Sequence, residues 1–474
     1  MLFALLSTPV VASEESDAVR AIEIAEAHRI LDPILVRDLD ASPALAARAA
    51  LAIGRVKNID GAPPLRAHML ASVAGVRAMV VYALGLLGDR ASLRDLMALA
   101  RTDANSAVRY AAIDAVGRIV IVDPHLATAS LANDALIVAR ADADPLVRAH
   151  AVAQLDAFRS TPYARTIAAS LERAQDQERD ETVRWHTAWA IFRGYANVVD
   201  ASFLERALHD SNEMVRVEAA RAWGRRSDPT AAAIVRTAEN DRSWRVQLEV
   251  REALRRIAHL APTEHLLAIP PGVRLPKIPL SARTSAAAPA PRATSVQFAP
   301  DAATLALVAP VVPVTARDLA RPQPGAHPRV RVTTTKGDVV VRLYPEWAPG
   351  TVANFLGLAE RGYFNGNRWF RIVPDFVVQT GDPTDNGEGD AGYAIGAEEN
   401  PLEQRSGVIA MGLNYVNGNA VRDSAGTQFY ITLSPQLHLD RDFSVFGEVA
   451  GGFAVLANLV ESDRIIAVAR ISDG

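Results

Sequence analysis

A ten-residue phrase that begins Val-Arg returns along the first half of the chain, and few folds tolerate such a repeat. It reads VRAMVVYALG from Val76, VRYAAIDAVG from Val108, VRAHAVAQLD from Val147, VRWHTAWAIF from Val183 and VRVEAARAWG from Val215. A variant, LAARAALAIG, starts at Leu45, and a further one opens at Trp244-Arg245. Successive Val-Arg pairs lie 32, 39, 36 and 32 residues apart. Periods of that size belong to helix pairs that bury their apolar faces only by stacking on one another. An α-solenoid is therefore predicted over residues 17–261.

Most phrases follow an acidic or Asn/Ser stretch, such as Asp103-Ala104-Asn105-Ser106 or Asp210-Ser211-Asn212, which can satisfy free amides at a helix start. Alanines at i, i+3 and i+4 allow close helix contacts and account for an aromatic share of only 6% in the whole chain. The repeated Arg could form a ladder for a ligand. The stronger expectation is that each pairs with the acid of the adjacent cap and holds the stack together. The period and the D…VR…A…A(L/V)G phrase resemble HEAT repeats, although other α-solenoids share the same physics.

Thirteen of the 28 prolines fall between 262 and 328, in runs such as IPPGVRLPKIP, so the helical array must stop there. This stretch is predicted to be an extended linker. From Val330 the pattern switches toward a period of two. VRVTTTKGDVVVRLYP alternates and breaks at Lys336-Gly337-Asp338, a hairpin signal. A helical ANFLGLAERGY follows, then short strands at RWFRIV, FVVQT, GVIAM, QFYIT and SVFGEV, a helical FAVLANLV and the strand IIAVARI. The expectation for 329–474 is a closed antiparallel β-barrel with two covering helices.

Composition removes several chemistries. There is no cysteine, so disulfides, thiolate metal sites and cysteine nucleophiles are excluded. Lysine occurs only at Lys57, Lys277 and Lys336, which leaves little for Walker loops or Schiff bases. Residues 326–474 carry 12 Lys+Arg against 18 Asp+Glu, and the rest of the chain 38 against 36, so no broad basic surface for nucleic acid is expected. No run approaches the ~20 apolar residues of a spanning helix. Residues 1–16 begin with MLFALLSTPVVAS, read as a possible signal remnant that favours an exported or periplasmic location over the cytoplasm, though a basic n-region is missing.

The blocks TTKGDVVVRLYPEWAPGTVANFLGLAERGYFNG, RWFRIVPDFVVQTGDPT, SGVIAMG and SAGTQFYITLSPQLHLDRDFSVFGEV resemble, in order, the cyclophilin-type peptidyl-prolyl cis-trans isomerases. The resemblance implies Arg371, Phe376 and Gln379 as catalytic residues. It also implies Val377, Met411, Gly412, Gln428, Tyr430, His438, Leu439 and Phe443 as the substrate-binding walls. In a strand RIVPDFVVQ, residues two apart share a face, so Arg371 and Val373 lie together and Asp375, Val377 and Gln379 follow in parity, with Pro374 able to shift the register. An arginine and a glutamine among apolar side chains suit a proline ring, and no nucleophile, metal or cofactor is needed because no bond breaks.

Four departures bear on substrate preference: His438 where many members have Trp, Phe443 in place of His or Tyr, Gly412-Leu413 after the Met, and a long loop from Asn414 to Arg422. Asp382, Thr384, Asn386 and Gly387 mimic the start of a calcium loop, but the twelfth position is Tyr393, so a glycine-rich surface loop is expected. The expected partners are proline-containing peptides and unfolded or client proteins at the barrel, and other proteins at the solenoid. A proline-peptide binding module with weak turnover, and the solenoid as the main working part, stays open as the alternative.

Overall fold

The computed structural model describes residues 8–226, 228–259, 315–317, 327–416 and 419–471. The predicted linker 262–328 and residues 1–7 of the possible signal remnant thus fall largely outside the described residues. The chain forms two compact units, one of residues 1–83, 274–313 and 318–474, the other of 84–273 with 314–317.

Helices α1 (Thr8–Ala27), α2 (Pro33–Arg37), α3 (Pro43–Val56), α4 (Ala62–Ala67) and α5 (Ala74–Leu87) open the chain, and the division between the units falls inside α5. The second unit continues with α6 (Leu93–Thr102), α7 (Ser106–Val122), α8 (Ala129–Ala141), α9 (Pro145–Gln154) and α10 (Ala164–Gln177). It ends with α11 (Glu181–Ala190), α12 (Ala201–Ala207), α13 (Glu213–Arg226), α14 (Ala232–Arg236) and α15 (Trp244–Ile257). The Val-Arg phrases open α7, α9, α11 and α13 in this unit. Their N-caps are Asn105, Asp144, Asp180 and Asn212, each accepting a bond from a backbone N–H of the first turn.

The repeated arginine pairs with the acid of the adjacent cap, as expected, and forms no free ladder in these four repeats. Arg109 donates from Nε and Nη2 to Asp142 at 2.7 and 2.8 Å, Arg148 to Glu178 at 3.0 and 3.2 Å, and Arg216 to Asp241 at 2.8 and 3.0 Å. Arg184 pairs with Asp210 through Nη2 alone. Each acid stands two residues before the next N-cap and also accepts that cap's N–H, at 2.8 to 2.9 Å. One carboxylate therefore ties an arginine of one repeat to the cap of the next. Small residues permit the close approach that this needs: a Cβ on Gly85 would lie 2.6 Å from the Ala115 Cα.

In the first unit the barrel region builds one sheet from β1 (Arg329–Thr334), β2 (Gly337–Leu343), β3 (Arg371–Val373), β4 (Val377–Thr380) and β5 (Val408–Met411). β6 (Tyr415–Val416) and β7 (Asn419–Ala420) form a separate hairpin, and β8 (Phe429–Thr432), β9 (Val445–Gly451) and β10 (Ile465–Ile471) complete the set. Alternation sets the core: Val330, Val332, Val339, Val341 and Leu343 are fully buried while their neighbours face out. The β1–β2 turn works because Gly337 holds φ +127°, a value closed to other residues. Helix α16 (Pro349–Glu360) sets Phe355 against Phe364, Phe429 and Phe446 inside the sheet, and α17 (Phe453–Leu456) is a single turn.

The sheet is an open half-barrel, not the closed barrel expected. Its order is β10-β1-β2-β9-β5-β8-β4-β3, and β3 and β10 remain edges. Closure requires a hydrogen-bonded ladder between the two edges. Here β3 has three residues, and the chain before it meets the start of β10 only briefly among the described residues. It does so at the bridge Arg368↔Arg464 and the backbone bonds of Gly366, Asn367 and Trp369 to 463–465, before it turns away.

Candidate active site

Antiparallel pairing puts Arg371 of β3 directly opposite Gln379 of β4, and Gln379 opposite Tyr430 of β8. The register is set by the turn Val373–Val377, where Asp375 takes φ +56° and its carbonyl accepts from Ser434 Oγ at 2.5 Å and Gln436 Nε2 at 3.1 Å. Asp375 is therefore a buried turn residue and does not continue the Arg371 face, which corrects the parity expected for it.

A relay of amides fixes the guanidinium. Gln428 Nε2 donates to the carbonyls of Gly387 and Gly389, both at 3.0 Å, so its Oε1 is left to accept from Gln379 Nε2 at 3.1 Å. Gln379 Oε1 then accepts from Arg371 Nη1 at 3.2 Å. Because the two carbonyls can only accept, they set the orientation of every amide down the line. Gly412 makes room for the relay, since a Cβ there would meet Gln379 Nε2 at 3.2 Å.

Arg371 also lies over the Phe376 ring at 5.3 Å, and Phe376 stacks on His438 at 5.7 Å. Tyr430 meets Phe443 edge-on at 5.7 Å. Val377 and Leu439 are nearly wholly buried, and Met411 packs into the core of the half-barrel. The predicted residues thus form one connected polar and aromatic face around Arg371, backed by Val377, Met411 and Leu439. Arg371 stands exposed at the rim of this face; partial desolvation lowers its pKa from the ordinary value, Tyr415 and Tyr430 oppose this, and as an arginine it stays charged. Burial also pushes the Tyr430 phenol well above its usual range, so it stays protonated.

Two contributors escaped the sequence reading. One is Tyr415, which interacts electrostatically with Arg371 from the long loop. The other is the loop after β4, where the calcium-like spacing serves the backbone. The fully buried Asp382 accepts from Thr384 N and Thr384 Oγ1, both at 2.7 Å, from Asn386 N at 2.9 Å and from Gly387 N. Burial alone would raise its pKa, but these donors outweigh it and hold the carboxyl below its usual value. Among the described residues one carboxylate group is tight enough to hold a metal ion: Glu23, Glu26 and Glu398. The buried Arg48 and Arg55 already neutralise two of its members.

Comparison with known proteins identifies the family of the C-terminal region. The family model for cyclophilin type peptidyl-prolyl cis-trans isomerases matches residues 329–471, and the model for HEAT repeats matches 32–117. Peptidyl-prolyl cis-trans isomerase B of Bacillus subtilis is 41% identical over 123 residues, covering 26% of this chain and 82% of the relative. The human peptidyl-prolyl cis-trans isomerase-like 1 is 38% identical over 134 residues, covering 27% and 77%. A solved cyclophilin type isomerase of Cryptosporidium parvum is 27% identical, covers 31% of this chain and 99% of its own, and has a TM-score of 0.29. No described helix is long and apolar enough to cross a membrane. With HEAT repeats in its N-terminal half and this site in its C-terminal domain, the chain belongs to the cyclophilin-type peptidyl-prolyl cis-trans isomerases.

Proposed function

We propose that this isomerase acts on X-Pro bonds of unfolded or client proteins, with Arg371 as the catalytic group and the solenoid as the surface that docks them. The carrying observation is the Arg371–Gln379–Gln428 relay, which holds an always-charged donor beside an aromatic face. Rotation about the X-Pro bond has a barrier of roughly 18–20 kcal/mol and proceeds unaided in tens of seconds or more. As the bond twists, the prolyl nitrogen loses resonance and becomes an acceptor, and Arg371 supplies a donor at the place where that lone pair forms. A hydrogen bond from a charged group is worth about 1.5–3 kcal/mol, or one to two powers of ten in rate. Phe376, Tyr430, Leu439 and Phe443 contribute the remainder by seating the ring and excluding water while the acyl side turns.

Docking by the solenoid is supported by a cleft of about 670 Å³ between the α8–α9 and α10–α11 pairs. Arg140, Arg148, Arg173 and Arg179 line it with Glu178, over a floor that includes Val152 and Val183. Glu178 is taken by Arg148, while Arg173 and Arg179 pair with no carboxylate among the described residues. Such a cleft suits an acidic stretch of a client chain. The test follows cis–trans exchange by the full chain on a proline peptide and on an unfolded protein rich in acidic segments. Arg371→Ala should lower kcat/KM on both by about ten- to a hundredfold. Arg173→Glu should lower it on the protein alone. Wild type without activity over background would leave only the binding-module reading.

A further inference from the structure

The long loop that sets this chain apart is tied to the first helical repeat at one end and to the groove at the other. Its hairpin, β6–β7, is closed at the neck by Val421 N to Asn414 O at 2.7 Å, Asn414 N to Ser424 Oγ at 2.9 Å and Ser424 Oγ to Val421 O at 2.6 Å. Tyr415 stands three residues after Gly412, a span of at most ~10 Å, and Gly412 packs against Gln379 and Gln428. Tyr415, Val416 and Val421 stay 58%, 46% and 36% exposed, an apolar surface that the half-barrel core does not use.

Just past the hairpin, Arg422 and Asp423 hold α3 and the turn that follows α1. Arg422 holds both oxygens of Glu399, at 2.7 and 3.0 Å, and donates to the Arg55 carbonyl at 2.7 Å. Asp423 accepts from Arg29, which also donates to the carbonyls of Ala397 at 2.7 Å and Arg55 at 3.0 Å. Arg55, wholly buried, donates to the carbonyls of Trp347 at 2.6 Å, Glu399 at 2.8 Å and Glu398 at 3.3 Å, and to Glu26 at 2.9 Å. The hairpin is thus held from the helical side as well as from the sheet.

We propose that Tyr415 determines specificity by forming the wall for a large apolar side chain preceding the proline, and that Arg29 is a positioning residue that holds this wall through Asp423. The assignment rests on the role given to Arg371. The prolyl nitrogen that Arg371 addresses is bonded to the acyl carbon of the preceding residue. Phe376 seats the ring, and the hairpin that carries Tyr415 leaves the groove three residues beyond Gly412, beside the Gln379 and Gln428 amides that hold Arg371. The residue on the acyl side of the prolyl nitrogen is therefore the one within its reach.

The readout is the ratio of kcat/KM for a Phe-Pro peptide over the matching Ala-Pro peptide, measured on the full chain. Tyr415→Ala should lower this ratio by about five- to tenfold through KM, as expected for lost apolar contact, and Tyr415→Phe should keep it. Arg29→Met and Asp423→Asn should each lower the ratio, and neither should lower it further when combined with Tyr415→Ala. An unchanged ratio in Tyr415→Ala overturns the wall. Additive losses in the double variants overturn the positioning role. Arg371→Ala is assayed in parallel: unchanged turnover there refutes the catalytic role of Arg371, independently of what the ratio reads.

Discussion

Asp382→Asn isolates the relay, because Asp382 lies in the loop behind the groove and acts on Arg371 only through Gln428. The carboxylate accepts four bonds, two on each oxygen. Asparagine keeps one acceptor and turns an NH2 toward the N–H groups of Asn386 and Gly387. Two charge-assisted bonds disappear, each worth about 1.5–3 kcal/mol, so the loop loses roughly 3–6 kcal/mol of local stability. The carbonyls of Gly387 and Gly389 then no longer fix Gln428, and the Gln379 amide and the guanidinium lose their set orientation. The kinetic effect has a ceiling, since all that the relay protects is the Arg371 bond to the prolyl nitrogen. Loss of kcat/KM should therefore fall between about threefold and a hundredfold, and never exceed that of Arg371→Ala. Exchange assays on a proline peptide measure it, together with a cycle against Gln428→Ala, in whose background Asp382→Asn should change little. A full, additive loss in that background would refute the relay, as would wild-type activity in Asp382→Asn alone.

The ladder and the buried charges of the first repeat give two stability predictions. Asp142→Ala leaves Arg109 without its bidentate partner and the Asp144 N–H without its acceptor, and should cost about 1–3 kcal/mol by urea unfolding. Asp176→Ala breaks an exposed 3.4 Å pair with Arg206 and should cost under ~0.5 kcal/mol; equal costs would sink the view that the ladder holds the stack. Glu23 is pushed up to about 7 by burial, with Arg48 opposing and Glu26 and Glu398 adding. A raised carboxyl binds its proton in the folded state, so its contribution is complete below the unfolded value of 4.5 and is lost as pH rises through about 7. Glu23→Gln removes that loss, and its Tm relative to wild type should be higher at pH 8.5 than at pH 6. A difference that does not vary with pH would refute the assignment.

What could be read from the chain follows the range of the interactions concerned. Arg109, Arg148, Arg184 and Arg216 find partners 25 to 33 residues ahead, in the cap that precedes the next repeat, so a recurring phrase with its cap carries both halves of the pair. Arg371 and Gln379 face each other across a turn, and strand parity suffices to bring them together. Closure of the barrel was beyond reach because it depends on how far the chain before β3 stays paired with β10, and apolar alternation says nothing about that edge. Arg55 shows the limit most sharply. In the sequence it closes LAARAALAIGR, one more repeat phrase, and its neighbours predict only an ordinary helix end. Its carbonyl partners lie 292 to 344 residues away, in backbone whose side-chain pattern does not mark it as an acceptor. A fully buried arginine with no acid at the ladder spacing demands acceptors from elsewhere in the fold. Among the described residues Arg55 ion-pairs with Glu26 of α1, and its other acceptors are these distant carbonyls, so its role was not legible from the repeat phrase.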